Sequence, residues 1–173
     1  MKLDELAIGL APLAGVKTLY IHGDVDIFVD GDTLLDPDTG IIVTKDSSLV
    51  LYLGGDILVK PGSEIFYGDT PPVTDAEITE AASSTCIRGT VASDGTPLCF
   101  NVDFRPEHDF YGTLYAPDAA LVLEPGGNFC GAITARNIIL KPQGTFIYIP
   151  SLASVNDEDM LHMGVKSGSW WEE

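Results

Sequence analysis

The chain of 173 residues has few basic residues, few cysteines and no long apolar segment. Nine Lys and Arg stand against 26 Asp and Glu, and the net charge of −17 argues against nucleic acid or an anionic membrane as a partner, since both carry phosphates. No apolar run approaches the ~20 residues that span a bilayer. The three cysteines form no Cys-x-x-Cys pair, which argues against structural zinc and thioredoxin-type chemistry. The sequence also lacks a Gly-x-Ser-x-Gly elbow, a Walker A loop and a His-Glu-x-x-His motif.

The remaining composition is that of one folded domain. Apolar residues make up 45% of the chain, with 18 Gly and 11 Pro, which excludes a disordered chain and favours many turns. The first six residues show no basic region followed by an apolar stretch, so no signal peptide is predicted. We expect either a cytosolic protein or a fragment whose export segment lies outside this chain.

A short pattern occurs three times along the chain. In each copy, three aliphatic residues lead into a charged residue, a proline and a turn containing glycine. The copies lie at 57–63, 121–127 and 138–144. A second motif, an aromatic residue followed closely by glycine, accompanies them at 65–68, 110–112 and 129–131.

These copies predict a stacked β-structure. Each holds too little apolar surface to fold alone, so the copies are expected to pair their strands edge to edge, ~4.8 Å apart. The proline follows each strand, where no ladder N–H is needed. Stacking the last two copies would place Glu124 beside Lys141. The sequence therefore predicts an all-β, right-handed parallel β-helix over residues 18–153.

The repeat is interrupted at about residues 69–109. Thr74, with a glutamate three residues later, is typical of a helix N-terminus and predicts a short helix at 75–82. Two β-prone runs around Asp94-Gly95 predict a hairpin. Insertions on one side of a repeat array often bind partners, and they also cover exposed sheet edges, so both roles stay open here.

Both ends of such a stack need covers, because an open edge invites another chain to pair with it. Residues 1–17 are expected to form an N-terminal cap, with a short amphipathic helix at 3–11. Residues 154–173, which carry Trp170 and Trp171, are expected to pack on the coil.

The predicted hairpin would bring Cys86 and Cys99 near each other. A Cys86–Cys99 disulfide and two free thiols are the two interpretations. Cys130, between Phe129 and Gly131, is expected to be a small core residue.

Carboxylates are the most abundant chemical groups. Four of them crowd one strand and its turns: Asp24, Asp26, Asp30 and Asp32. Oxygen clusters of this kind suit Ca²⁺, although the spacing is not that of an EF-hand. The alternative is a solvated acidic rim with no cofactor at all. The three histidines, His22, His108 and His162, share no metal-ligand spacing and are expected on the surface or in turns.

Aromatic side chains offer a further role. Five tyrosines lie on strand-like segments: Tyr52, Tyr67, Tyr111, Tyr115 and Tyr148. They would form either an exposed platform for sugar rings or stacks within the coil. A polysaccharide hydrolase would need two carboxylates across one groove, which the sequence does not place. No catalytic residue is therefore predicted.

The motifs resemble a known family. The stretches 110–119, 129–133 and 141–148, with 19–25 upstream and Ser-Trp-Trp-Glu at 169–172, are similar to the C-terminal β-helical domain of bacterial PilX-type, type IV pilin-like surface proteins. The chain departs from that pattern in the 69–109 insertion and at 148–152, where the family has a His-Tyr-Asp-like segment. The resemblance implies an exported, surface-associated domain, and it transfers no catalytic residue.

These observations lead to one expected function with two alternatives. The expected function is a non-enzymatic, extracellular or cell-surface β-helical domain that presents a surface for adhesion or assembly. Its partners would be other surface or pilus proteins or glycans, with no nucleic acid and no membrane contact from this fragment. The alternatives are a polysaccharide-binding or polysaccharide-degrading β-helix and a bactofilin-like self-assembling scaffold.

Overall fold

The computed structural model describes residues 17–124, 126–141 and 144–152, together with the backbone of two short strands near the N-terminus. The described elements follow the order β1 Lys2–Leu3, β2 Leu6–Ile8, β3 Thr18–Ile21, β4 Asp24–Val29, β5 Thr33–Leu35, β6 Gly40–Val43, β7 Ser48–Leu53, β8 Ile57–Val59, β9 Glu64–Tyr67, α1 Asp75–Ser84, β10 Thr85–Gly89, β11 Asn101–Phe104, β12 Phe110–Leu123, β13 Phe129–Leu140 and β14 Phe146–Tyr148. Short strands and tight turns therefore dominate the described chain, as the glycine and proline content predicted.

The strands pair in parallel and form two sheets. The larger runs β1-β4-β7-β10-β12-β11-β8-β5-β2, with β13 and then β14 added beyond β12, and the smaller runs β3-β6-β9. In the first part of the chain the paired strands recur at a fixed spacing, since Thr33 pairs with Ile57 and Asp24 with Ser48, each 24 residues on. The larger sheet curls like half a barrel, because β12 continues from one flank to the next through an irregularity between Ala116 and Ala120.

The predicted stacking of the last two repeats is confirmed. Residues 121–123 pair in parallel with 138–140, and 110–112 pair with 129–131. The Lys141 ammonium lies 2.7 Å from the Glu124 carboxylate, as the register required. The copy at 65–68 behaves differently from the prediction, because β9 pairs with β6 in the smaller sheet. The parallel β-architecture is thus confirmed at the level of the sheets.

Two further copies of the charged-residue–proline corner were missed in the sequence. Asp36-Pro37 follows β5 and Arg105-Pro106 follows β11, in the same column as the three recognised copies. The corner carries ion pairs between successive layers: Lys60 lies 2.5 Å from Asp36, and Arg105 lies 3.6 Å from Glu124. The hydrogen bond from Lys141 and the nearby Arg105 lower the pKa of Glu124, while partial burial opposes them.

The core lies between the sheets, where alternate residues of each strand point inward. Val25, Ile27 and Val29 alternate with outward Asp26 and Phe28, as predicted from the sequence. Inward residues at matching positions in successive strands are almost fully buried, among them Ile27, Leu51, Ile87 and Leu114. Burial of these columns of aliphatic side chains stabilises the fold by roughly 25 cal/mol for each Å² of apolar area removed from water. A single layer could not bury this area alone.

The insertion begins with the predicted helix. α1 spans Asp75–Ser84, and Thr74 and Glu77 form a reciprocal capping box at its N-terminus. Ala81 and Ala82 are buried, so small side chains let the helix lie close to the sheet. The Tyr67 hydroxyl donates to Glu80 at 2.9 Å and ties the helix to β9. The helix prediction is therefore confirmed, with two extra residues at its C-terminal end.

The chain termini correct one prediction and leave another untested. The predicted helix at 3–11 is wrong in its described parts, because β1 and β2 pair in parallel with β4 and β5. A helix at 3–11 would leave backbone N–H and C=O groups of β4 and β5 unpaired. The strands β1 and β2 form hydrogen bonds with those groups instead. The predicted packing of residues 154–173 lies outside the described residues.

Among the described residues, α1 is too short and too polar to cross a membrane.

Candidate functional site

One row of side chains runs across the outer face of four strands. Phe28, Tyr52, Arg88 and Tyr115 occupy matching positions in β4, β7, β10 and β12. They point outward because their neighbours Ile27, Leu51, Ile87 and Leu114 point into the core. This outer row places Arg88 between two tyrosines of adjacent strands, and the Arg88 Nε donates a hydrogen bond to the Cys86 Sγ at 3.3 Å.

The rings in this row stack on one another. The ring centroids of Phe28 and Tyr52 lie 4.3 Å apart with an interplanar angle of 3°. The surfaces that the two rings turn toward each other are therefore covered. Two of the other tyrosines are buried, with the Tyr67 hydroxyl bonded to Glu80 and the Tyr111 hydroxyl 3.2 Å from Asp109. The five tyrosines thus do not form one exposed platform.

A hairpin from the insertion leans over the end of this row. Val91 and Pro97 form an antiparallel bridge, and the turn at Asp94-Gly95 has a φ of +84° at Gly95, which favours glycine there. The Asp94 carboxylate accepts a hydrogen bond from the Thr96 N–H at 2.9 Å. The predicted turn is therefore confirmed, in a hairpin shorter than expected.

Between hairpin and row lies a cleft of about 310 Å³, which we call the hairpin cleft. Its lining consists of Tyr52, Arg88, Gly89, Thr90, Val91, Pro97, Cys99, Tyr115, Ala116, Pro117 and Asp118. Most of these groups are apolar, while Arg88 and Asp118 supply one charge of each sign. A recess with an apolar lining and a few polar groups is the usual form of a binding site.

Asp56 holds the chain where it leaves the hairpin for β11. Its carboxylate accepts hydrogen bonds from the backbone N–H groups of Phe100 and Asn101, at 2.9 and 2.8 Å, and from the Asn101 side chain at 2.7 Å. Partial burial acts to raise the pKa of Asp56, but these three hydrogen bonds outweigh it and the pKa is lowered. The ionised carboxylate therefore anchors one side of the hairpin cleft.

Of the two interpretations for Cys86 and Cys99, the structure has free thiols, and Cys130 is a free thiol as well. The hairpin register explains this, because Cys99 lies opposite Gly89, whose added Cβ would stand 3.3 Å from that of Cys99. Cys86 lies three residues further back along β10, about 10 Å away at the usual strand rise. A disulfide needs Cα atoms within roughly 7 Å. Cys130 is buried, as predicted.

The thiols are expected to differ in reactivity and to weaken the fold at alkaline pH. Burial raises the pKa of Cys99 to about 12 and that of Cys130 to about 11. Unfolded thiols lose their protons near pH 8.5, so stability is highest below that pH and falls as pH rises toward the pKa values of the folded state.

Iodoacetamide labelling at pH 8, followed by mass spectrometry, should modify half-buried Cys86 first. Equal labelling of Cys99 and Cys86 in the native state would contradict this.

The four aspartates predicted to bind Ca²⁺ are not gathered into one site. Asp24 accepts a hydrogen bond from Ser48 at 2.8 Å, and Asp32 accepts one from the backbone N–H of Asp56 at 2.9 Å. Asp24 and Asp26 project from the outer face of β4, whereas Asp30 and Asp32 lie at the following corner. Across 17–124, 126–141 and 144–152, no three His, Cys, Asp or Glu side chains are grouped to hold a metal ion.

A second recess lies beside the smaller sheet. It measures about 520 Å³ and is lined by Glu64, Phe66, Pro71, Glu107, His108, Asp109, Gly126 and Gly127. His108 lies 3.9 Å from the Glu64 carboxylate, and Asp109 accepts a hydrogen bond from the Asn128 N–H at 2.6 Å. His22 is elsewhere, near Tyr20 and Thr44, and His162 lies outside the described residues. The two described histidines, His22 and His108, therefore do not share a site.

The sequence singled out Tyr52 and Tyr115 but missed Phe28, Arg88 and Val91. One signal was available, because Phe28 precedes Tyr52 by the same 24 residues that separate other paired strands. Arg88 carried no such signal, since the helix and its flanking loops come between it and Tyr52 in the chain.

Comparison with known proteins places most of the chain in one family of domains. A family model for a domain of unknown function, DUF7305, matches residues 18–155, which span every described strand from β3 to β14. No curated protein and no solved structure matches the chain. The chain therefore belongs to the DUF7305 family of domains.

Proposed function

We propose that this protein is a non-enzymatic, exported domain of a pilus-like or cell-surface protein, and that its hairpin cleft binds a segment of another surface protein. In this proposal the two sheets close into a right-handed parallel β-helix, which holds the cleft on a stiff support. The observation that carries the proposal is the apolar hairpin cleft of about 310 Å³, walled by an insertion in an otherwise repetitive stack.

Exposed apolar side chains extend the cleft onto the hairpin. Val91, Leu98 and Phe100 are all exposed, with Val91 at 54% and Phe100 at 46%. Apolar side chains grouped beside a recess mark contact surfaces on soluble proteins. Turn residues alone would make the same connection between β10 and β11 without them. The hairpin therefore supports a protein-binding role better than a purely covering one.

The net charge of the chain indicates the charge that a partner is expected to carry. The net charge of −17 favours a basic segment and speeds its encounter with the domain. Asp118 at the cleft would face a Lys or Arg, while the apolar lining would take an aliphatic or aromatic anchor. The expected occupant is a short extended segment with one large apolar residue and nearby basic residues.

A random-peptide phage library selected on the full chain tests the binding proposal. Enriched peptides should pair an apolar residue with Lys or Arg. Val91→Asp, which places a charge in the cleft wall, should weaken their binding roughly tenfold or more. Ser93→Asp, at the exposed hairpin tip outside the cleft lining, is the matched control and should leave binding unchanged. Peptides that bind the Val91→Asp variant as tightly as they bind the parent chain would refute the hairpin cleft as the binding site.

The proposed location of the domain on the cell surface is tested independently of peptide binding. An antibody against the folded domain should label intact cells of the source organism, and external protease should remove the signal. Signal confined to lysed cells would refute the exported role, whatever the outcome of the peptide selection.

A second candidate is a polysaccharide-binding role at the same cleft. It is favoured by Tyr52 and Tyr115, which occupy the positions next to Arg88 in the outer row and line the cleft. Sugars stack on aromatic rings, and the strongly negative chain would select neutral polymers over acidic ones. Binding of dextran, mannan or cellulose fragments that is lost in Tyr115→Ala, with no enriched peptide, would favour this candidate.

A further inference from the structure

The last layer of the larger sheet leaves its inward side chains exposed. Ile138 and Leu140 of β13 pair with Leu121 and Leu123 of β12, which point inward and are 0% and 2% exposed. Ile138 and Leu140 occupy the same inward column, yet they are 45% and 58% exposed. The aliphatic column of the core therefore continues to the end of the described stack, where no described residue covers it.

Other large apolar side chains of β13 and β14 are exposed beside this column. Phe146 continues the inward column beyond buried Phe129, with which it pairs, and it is itself exposed. Apolar side chains grouped in this way on a soluble protein mark a contact surface. We call this group the end surface, and its members are Ile138, Ile139, Leu140, Phe146, Ile147 and Tyr148.

The backbone of 138–140 also offers hydrogen-bonding groups at an open edge. Within the described residues, β14 pairs with β13 only at Phe129–Gly131, and no described strand lies beyond 138–140. The Lys141 N–H donates to the Leu123 carbonyl oxygen of β12 at 2.9 Å. Because successive N–H groups of a strand point to opposite sides, those of Ile138 and Leu140 point to the open edge. Such an edge is a template for an added strand.

The charge of this layer differs from that of the rest of the chain. Residues 125–156 contain no Asp or Glu, although the chain has 26 of them, and they contain two cations, Arg136 and Lys141. Lys141 is paired with Glu124 at 2.7 Å, whereas Arg136 is exposed two residues before Ile138. The negative charge of the chain therefore comes entirely from outside this stretch. At the end surface an acidic partner meets a cation and no carboxylate of the same layer.

We propose that the end surface binds an acidic, extended segment of a partner protein, which adds to the open edge of β13 as a further strand. Its alternate aliphatic side chains cover Ile138 and Leu140, and one of its carboxylates pairs with Arg136. A second copy is the less favoured occupant, because a symmetric contact would place Arg136 against itself and two chains of charge −17 repel each other. The end surface shares no residue with the hairpin cleft, so this proposal does not depend on the proposed function.

Two short synthetic peptides test the preference for acidic segments on the full chain. Both alternate valine with polar residues, which are threonine and glutamate in one peptide and threonine and lysine in the other. Fluorescence anisotropy at low salt should show the acidic peptide binding roughly tenfold more tightly or better, with a smaller difference at high salt. Equal binding of the two peptides, or no binding of either, would overturn the proposal.

Variants of the chain locate the binding. Leu140→Asp should weaken binding of the acidic peptide roughly tenfold or more, because it places a like charge in the apolar surface. Arg136→Glu should reverse the preference between the peptides, and it keeps the test open if Leu140→Asp does not fold. Val73→Asp changes an exposed valine outside the end surface and is the matched control. Val91→Asp, in the hairpin cleft, should also leave binding unchanged, and a loss in either control equal to that in Leu140→Asp would overturn the proposal.

Hydrogen exchange distinguishes the possible occupants of the edge. The amides of Ile138 and Leu140 should exchange fast in the dilute chain alone and slow roughly tenfold or more with the acidic peptide, because an added strand would bond them. Slow exchange in the dilute chain alone would overturn the proposal in favour of a cover from the same chain. Protection that rises with protein concentration in the absence of peptide would overturn it in favour of a second copy.

Discussion

Replacing Phe129 with alanine is expected to lower the free energy of unfolding by about 3–5 kcal/mol. Phe129 is 0% exposed, and its ring centroid lies 4.9 Å from that of Phe110 and 6.2 Å from that of Phe104. Phe146 packs on it from the next layer at 5.5 Å. Truncation would remove contacts to all three rings and leave a cavity between rigid strands that relaxes poorly.

Urea unfolding followed by far-ultraviolet circular dichroism measures this effect. Circular dichroism is the readout because it reports directly on the described strands, whereas Trp170 and Trp171 lie outside the described residues. Phe100→Ala is the matched control, since Phe100 is an exposed phenylalanine and its loss should change stability by less than about 0.5 kcal/mol. A comparable loss in the two variants would show that the aromatic column is not the centre of the core.

Gly131→Ala is expected to be the second most damaging single change, with a loss of about 3 kcal/mol or more. A Cβ at Gly131 would overlap the backbone carbonyl oxygen of Gly112 in the neighbouring strand. Gly112 is itself confined, because a Cβ there would lie 2.5 Å from the ring of Phe110 and 2.8 Å from the carbonyl oxygen of Thr85. Gly131 therefore allows the close approach of β13 to β12, and Gly112 allows that of β12 to β10.

The same unfolding assay measures the Gly131 effect. Thr134→Ala, on the exposed part of the same strand, is the control and should stay within about 0.5 kcal/mol of the parent. Because the clash is with backbone, repacking of side chains cannot relieve it. A Gly131→Ala chain as stable as the parent would mean that the two strands separate more easily than their pairing implies.

The residues proposed to bind a partner differ from those expected to determine the stability of the fold. Phe129 and Gly131 lie in the layers that hold the stack together, whereas Val91 lies on the hairpin that projects from it. Variants at Val91 should therefore alter binding with little change in stability. This difference makes the binding test independent of the two unfolding tests.

Several parts of the architecture followed from local patterns. The parallel pairing of 121–123 with 138–140 was predictable because each copy carries the same alternation of aliphatic residues before a charged corner. The helix at Asp75–Ser84 was predictable because Thr74 and Glu77 satisfy its first backbone N–H groups locally. Such features depend on neighbours within a few residues or on a repeated spacing. Both can be read directly from the amino-acid sequence.

Other parts depended on register and on contacts between distant segments. The sequence left a Cys86–Cys99 disulfide and two free thiols open, because the turn at Asp94-Gly95 does not specify how far the hairpin extends. In the structure Cys99 lies opposite Gly89. The outer row of Phe28, Tyr52, Arg88 and Tyr115 exists because four strands align across the insertion.

By itself, the amino-acid sequence determined that this protein is an acidic, parallel β-structure built from stacked layers, since composition and repeated spacing are properties of the chain. The tertiary structure alone decided which side chains meet. It separated the four aspartates, kept the thiols apart and formed the hairpin cleft. The physical reason is that a shift of one residue in strand register moves every side chain to the opposite face, and packing of the whole molecule selects that register.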